Sequence, residues 1–84
     1  IRVWLKAGRH MSYHSHEYRD EVWTIISGQG KVVIDGKEQN IQSGDVISIK
    51  RRIRHTIIAQ TDLTLIEVQV GEEISAQDKR KYSL

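Results

Sequence analysis

Four residues of this 84-residue chain have the types and the spacing to bind one first-row transition metal: His14, His16, Glu21 and His55. The first three stand in a frame of glycines. Gly8 is followed by five residues, His14-Ser15-His16, four residues, Glu21, six residues and Gly28. Three imidazoles and one carboxylate give neutral nitrogen donors and one anionic oxygen. That set suits Zn, Mn, Fe, Co or Ni better than Ca or Mg. Glu21 heads an otherwise apolar run to Ile26, where an unpaired buried carboxylate would be costly. A single divalent transition metal would supply its partner. His10 has no such setting and reads as a surface residue.

The elements that must position these side chains are strands. Helical periodicity is nearly absent, and two-residue alternation runs through the chain. Residues two apart share one face of a strand, so His14 and His16 project together. Glu21, Trp23 and Ile25 share another face, and His55 opens the alternating set His55, Ile57, Ala59. Ile1 to Leu5, Glu21 to Ser27, Lys31 to Ile34, Lys37 to Gln42, Val46 to Ile49, Arg54 to Ala59 and Leu63 to Val70 all read as strands. With the His14 segment they make about eight. Ser27-Gly28-Gln29-Gly30 and Ser43-Gly44-Asp45 read as turns. Asp35-Gly36 is the strongest hairpin signal. Closely spaced short strands predict an antiparallel sandwich or barrel, an all-β fold. In the tail, Ile74 precedes Ser75, with Asp78 three residues on, the form of a capping box with a staple residue. This predicts a short C-terminal helix over Ala76 to Tyr82. The expected organisation is a barrel over residues 1–74 and a helical tail over 75–84.

The bulk numbers narrow the function. One small domain has a marginal core, and such chains are steadied by disulfides, a metal or self-association. There is no cysteine, which leaves the last two; a homodimer is expected, with the apolar strand Ile1 to Leu5 as an edge to cover. The lack of cysteine also fits a reducing, cytoplasmic setting. A net charge of only +2 argues against a nucleic-acid binder, and no apolar stretch reaches membrane-spanning length. The chain begins at Ile1 within a strand pattern, as a piece of a longer protein would.

The frame from Gly8 to Gly28 resembles the first cupin motif: glycine, five residues, His-X-His, a short gap, Glu, six residues, glycine. Gly44 to His55 resembles the second motif. There Lys50 stands at the usual proline, Arg52 at the middle glycine and Ala59 at the asparagine. The resemblance covers about residues 1 to 74. It implies a small antiparallel jelly-roll barrel with His14, His16, Glu21 and His55 as ligands to one ion, and a coordination position left open for water or substrate.

Finer features are similar to sugar-phosphate cupins, namely type II mannose-6-phosphate isomerases and the C-terminal domain fused to mannose-1-phosphate guanylyltransferase. These are Arg19-X-Glu21-X-Trp23 with Ser27-Gly28, and Leu65-Ile66-Glu67-Val68-Gln69-Val70-Gly71. The resemblance implies isomerisation of mannose 6-phosphate and fructose 6-phosphate, a small anionic ligand. A cationic rim beside a metal is a sensible phosphate site, so Arg19, Lys50, Arg52 and Arg54 are the expected phosphate contacts. Trp23 reads either as a packed core aromatic or as a wall for the sugar ring. Tyr13 and Tyr18 flank the ligands, and either hydroxyl could face substrate. Glu67 is a candidate general base if it points inward; no other catalytic residue stands out. Three other readings stay open: a non-catalytic binding module, an Fe-dependent oxygen-using cupin enzyme, and a structural barrel with a vacant site.

Overall fold

A computed structural model describes residues 1–84, in nine strands. These are β1 (Arg2–Leu5), β2 (His14–Ser15), β3 (Asp20–Ser27), β4 (Gln29–Ile34), β5 (Lys37–Gln42), β6 (Val46–Ile49), β7 (His55–Ala59), β8 (Leu63–Val70) and β9 (Arg80–Lys81). They form two antiparallel sheets, one ordered β1-β8-β3-β6 and the other β5-β4-β7-β2-β9. The all-β expectation holds.

Alternation decides which face of each strand turns inward. On β3, Glu21, Trp23 and Ile25 are buried while Val22 and Thr24 between them are partly exposed. The first sheet contributes Trp23, Ile25, Ile47, Ile49, Leu63 and Leu65 to the core; the second contributes Val32, Ile41, Ile57 and Ala59. Burying each large side chain is worth roughly 1.5–3 kcal/mol. The outer face of the first sheet is unusually apolar: Trp4, Ile26, Val46, Val68 and Val70 are all exposed there.

The turns follow the residues that allow them. Asp35 and Gly36 both take positive φ, 49° and 78°, the pattern of a type I′ hairpin between β4 and β5. The turn expected over Ser27 to Gly30 is shorter than its glycines suggested. β4 already begins at Gln29, and Gly30 is buried within it. A Cβ on Gly30 would lie 2.3 Å from the Ile58 carbonyl oxygen, so this glycine serves close strand approach, not a bend.

The C-terminal helix is the expectation that fails. No helix forms, and Arg80 and Lys81 instead make β9, pairing with Ser15 and His14 of β2. The Asp78 carboxylate accepts the Glu17 and Tyr18 backbone N–H groups at 2.8 and 2.9 Å. The side chain read as a local cap is therefore spent sixty residues away, and the tail joins the second sheet. With no helix present, none is long and apolar enough to cross a membrane.

Candidate metal centre

His14 on β2 and His55 on β7 are register partners across antiparallel strands. His16 follows β2 directly, its carbonyl accepting the Arg52 backbone N–H at 2.6 Å. One ring nitrogen from each of the three histidines lies within 4.8 Å of the other two, and all three residues are buried. The structure thus brings together the three histidines that the spacing singled out. His10 is exposed, in an isolated bridge with Ile58, and stands outside this group.

Hydrogen bonding orients the rings. Nδ1 of His14 and of His55 donate to the Ser12 and Ile53 carbonyls at 2.5 and 2.8 Å. This assigns the Nδ1–H tautomer and leaves each Nε2 with a free lone pair. Nε2 of His16 and of His55 are buried with no hydrogen-bond partner. Orphaned buried polar atoms are rare and costly, and two of them on rings whose centroids lie 5.3 Å apart fit an ion better than an empty space.

Glu21 sits at the edge of the cluster. Its Oε2 lies 3.6 Å from His16 Nδ1 and its Oε1 lies 3.7 Å from His55 Nε2. Both gaps are too long for hydrogen bonds. The carboxylate is held from behind: Arg19 Nε donates to Oε2 at 3.0 Å and Trp23 Nε1 to Oε1 at 3.1 Å.

The charge states suit metal binding. Burial lowers His14 to about 4, opposed by the Ser12 carbonyl and helped by the charges on His55 and Lys79. Burial likewise lowers His16 to about 4 against the pull of Glu21. Both imidazoles are therefore neutral near pH 7, the form that ligates. Burial pushes the Glu21 carboxyl up, but the surrounding His55, His16 and Arg19 outweigh it and hold it near 2. Glu21 is ionised.

The cluster opens on a cavity of about 250 Å³ lined by Met11, Ser12, His14, His16, Arg19, Glu21, Glu67 and Lys79. Glu67 does point into this space; Gln69 Nε2 donates to its Oε2 at 2.9 Å. Of the expected phosphate contacts, only Arg19 lines it. Arg19 is buried, and its Nη1 donates to the Ser75 carbonyl at 3.0 Å. Lys50 borders a second hollow beside Asp20, Ser48 and Val70, which shares Glu21 with the cavity but not the histidines. Arg52 is exposed and pairs with Glu17 at 2.9 Å. Arg54 lies over the Tyr82 ring, 3.9 Å from its centroid.

Trp23 proves to be core. It is fully buried, so it offers no wall to a sugar, and its polar edge serves Glu21. The Tyr13 hydroxyl accepts the Gly36 N–H at 3.0 Å, and Tyr18 is exposed. Lys79, which reaches the cavity from the tail, carries no signal in the sequence. Only the pairing of β9 with β2 brings it there.

Comparison with known proteins agrees with this architecture. A family model described as the cupin domain matches residues 2–74. The chain is 29% identical over 84 residues to the mannose-1-phosphate guanylyltransferase of Escherichia coli (strain K12), covering 98% of this chain and 18% of that protein. It is 35% identical over 60 residues to the acireductone dioxygenase of Bacillus velezensis (strain DSM 23117 / BGSC 10A6 / LMG 26770 / FZB42), covering 66% of this chain and 34% of that protein. Among solved structures, one described as a predicted oxalate decarboxylase from Thermotoga maritima superposes with a TM-score of 0.80 at 30% identity, over 83% of this chain and 63% of that one. The chain thus spans 18% of the guanylyltransferase and 34% of the dioxygenase.

Proposed function

The chain belongs to the cupin domain family, and from that premise we propose that it is a metal-dependent enzyme interconverting mannose 6-phosphate and fructose 6-phosphate. The observation that carries the reading is the buried three-histidine cluster with two orphaned Nε2 atoms, opening on a cavity that is also lined by the Glu67 carboxylate. A relative named for mannose 1-phosphate aligns along nearly the whole chain, which supports a sugar-phosphate substrate.

In this reading His14, His16, Glu21 and His55 hold one divalent ion, Zn, Mn, Fe, Co or Ni. Such an ion supplies Lewis acidity to a carbonyl and a neighbouring hydroxyl. The protein's own groups do the rest. Glu67 takes the proton from C2 of the aldose and returns it to C1, the general-base role, while the C2 hydroxyl proton passes by way of solvent to the C1 oxygen. Gln69 fixes the Glu67 carboxylate by donating to one of its oxygens. Arg19 and Trp23 keep Glu21 in place and ionised. Burial of the histidines excludes water from one side of the site. Arg19 lines this cavity, but its guanidinium is held by Glu21 and the Ser75 carbonyl.

A second reading, an Fe-dependent oxygen-using enzyme, is favoured by the 35% identity to an acireductone dioxygenase over 60 residues; its donor demands are equally met by three histidines and a glutamate. Protein loaded in turn with Mn, Fe, Co, Ni and Zn separates them. Fructose 6-phosphate formed from mannose 6-phosphate, read by a coupled assay, is the expected result. Failure with every metal overturns the isomerase reading, and oxygen uptake with Fe alone supports the second.

The homodimer is also part of the proposal, formed through the apolar outer face of the first sheet around Trp4, Val46 and Val68. Light scattering at micromolar concentration should give twice the chain mass; a monomer contradicts it.

A further inference from the structure

The tail crosses the cluster as a strap. Asp78 caps the Glu17–Tyr18 bend with both carboxylate oxygens, and Arg80 and Lys81 pair with β2 beside His14. Tyr82 is pinned on two sides: its N–H donates to the Tyr13 carbonyl at 2.8 Å, and its hydroxyl lies 2.9 Å from Ser15 Oγ. Lys79 stands between these fixed points. It lines the histidine cavity on one side and the cleft under the strap on the other.

Lys79 is the cavity's uncommitted cation. Arg19 spends its guanidinium on Glu21 and on the Ser75 carbonyl. The Lys79 ammonium makes no ion pair and no side-chain hydrogen bond, a state it shares with exposed lysines such as Lys6 and Lys37; what sets it apart is its place on the histidine cavity. The cavity is lined by two cations, Arg19 and Lys79, and two carboxylates, Glu21 and Glu67. A divalent ion on the histidines then leaves the cavity net positive, with Lys79 as the free donor at its mouth. A lysine ammonium is a compact point charge with three donors, suited to a phosphate oxygen.

We propose that Lys79, carried into the site by the C-terminal strap, binds the anionic phosphate group of the substrate and thereby selects phosphorylated over neutral ligands. The inference rests on the metal-dependent sugar-phosphate reading above and assigns its specificity to a residue outside both cupin motifs. Asp78 acts as a positioning residue, since its two caps fix where Lys79 starts.

The test uses the metal-loaded chain and inorganic phosphate as probe, with metal content measured on the same samples. Lys79→Met should keep one ion per chain and weaken phosphate binding about tenfold, the loss of one charge-assisted contact. Lys79→Arg should restore most of it. Lys37→Met, which removes an exposed charge on β5, should bind as the parent does. Loss of affinity in Lys79→Met alone supports the assignment. Unchanged affinity with metal present overturns it while leaving the metal reading standing; absence of metal in the parent overturns that reading instead.

Discussion

Trp23 and Glu21 stand two residues apart on the inner face of β3, and the buried indole N–H donates to the buried carboxylate at 3.1 Å. A core aromatic thus doubles as support for the one anionic group of the cluster. Groups that hold a metal ligand from behind are worth roughly 10–100-fold in metal affinity. Trp23→Phe keeps an aromatic in the core but removes the donor. Metal titration should show affinity lower by about that factor. Chemical denaturation should show a loss of roughly 2–4 kcal/mol, from the smaller ring and the lost charge-assisted bond. Unaltered metal affinity would mean that Glu21 is not a ligand.

The acid response of the metal-free protein follows from the same cluster. His14 and His16 drop from 6.5 to about 4 on folding, so between those pH values the unfolded chain binds more protons. Stability from the two neutral imidazoles is therefore full above pH 6.5 and lost as pH falls from 6.5 to 4. Glu21, held near 2 against 4.5, adds a further loss between pH 4.5 and 2, in the same direction. Urea midpoints should decline steadily below pH 6.5. A flat profile from pH 7 to 4.5 would show that the imidazoles are not buried as neutral groups.

The strap stands on Asp78. Asp78→Ala removes two hydrogen bonds from a carboxylate to backbone N–H groups. The expected cost is about 1–3 kcal/mol, with faster amide exchange at Glu17, Tyr18 and Lys81. A melting temperature and exchange pattern equal to the parent's would mean that the tail holds without this cap.

Arg52 occupies the second motif's usual glycine position with φ of 70°. A side chain there strains the backbone by roughly 1–2 kcal/mol. Comparing Arg52→Gly with Arg52→Ala cancels the lost pairing with Glu17, so Gly should be the more stable by about 1 kcal/mol. Equal melting temperatures would argue against a left-handed residue 52.

Much of this was legible in the sequence because it is local. The alternation Glu21, Trp23, Ile25 told which face turns inward, and Asp35-Gly36 told where the chain reverses. His14-Ser15-His16 put two imidazoles on one side. What was not legible depends on distant partners. Ser75 and Asp78 have the spacing of a helix start, yet Asp78 is claimed by Glu17 and Tyr18, and a helix of two turns has little stability of its own to resist. The basic run Lys50 to Arg54 looked like one rim. Strand and turn geometry send its members to different places: Lys50 to one hollow, Arg52 to Glu17 and Arg54 to the Tyr82 ring. Lys79 reaches the cavity only because β9 pairs with β2, a contact no local pattern announces.

The central claim is that the three buried histidines and Glu21 hold an ion. Elemental analysis after titration of purified chain with a divalent transition metal tests it most directly, run beside His16→Ala and His55→Ala. The account predicts one ion per chain in the parent and its loss in both variants, with strands retained by circular dichroism. A parent that binds no ion, or variants that bind as well as the parent, would contradict it.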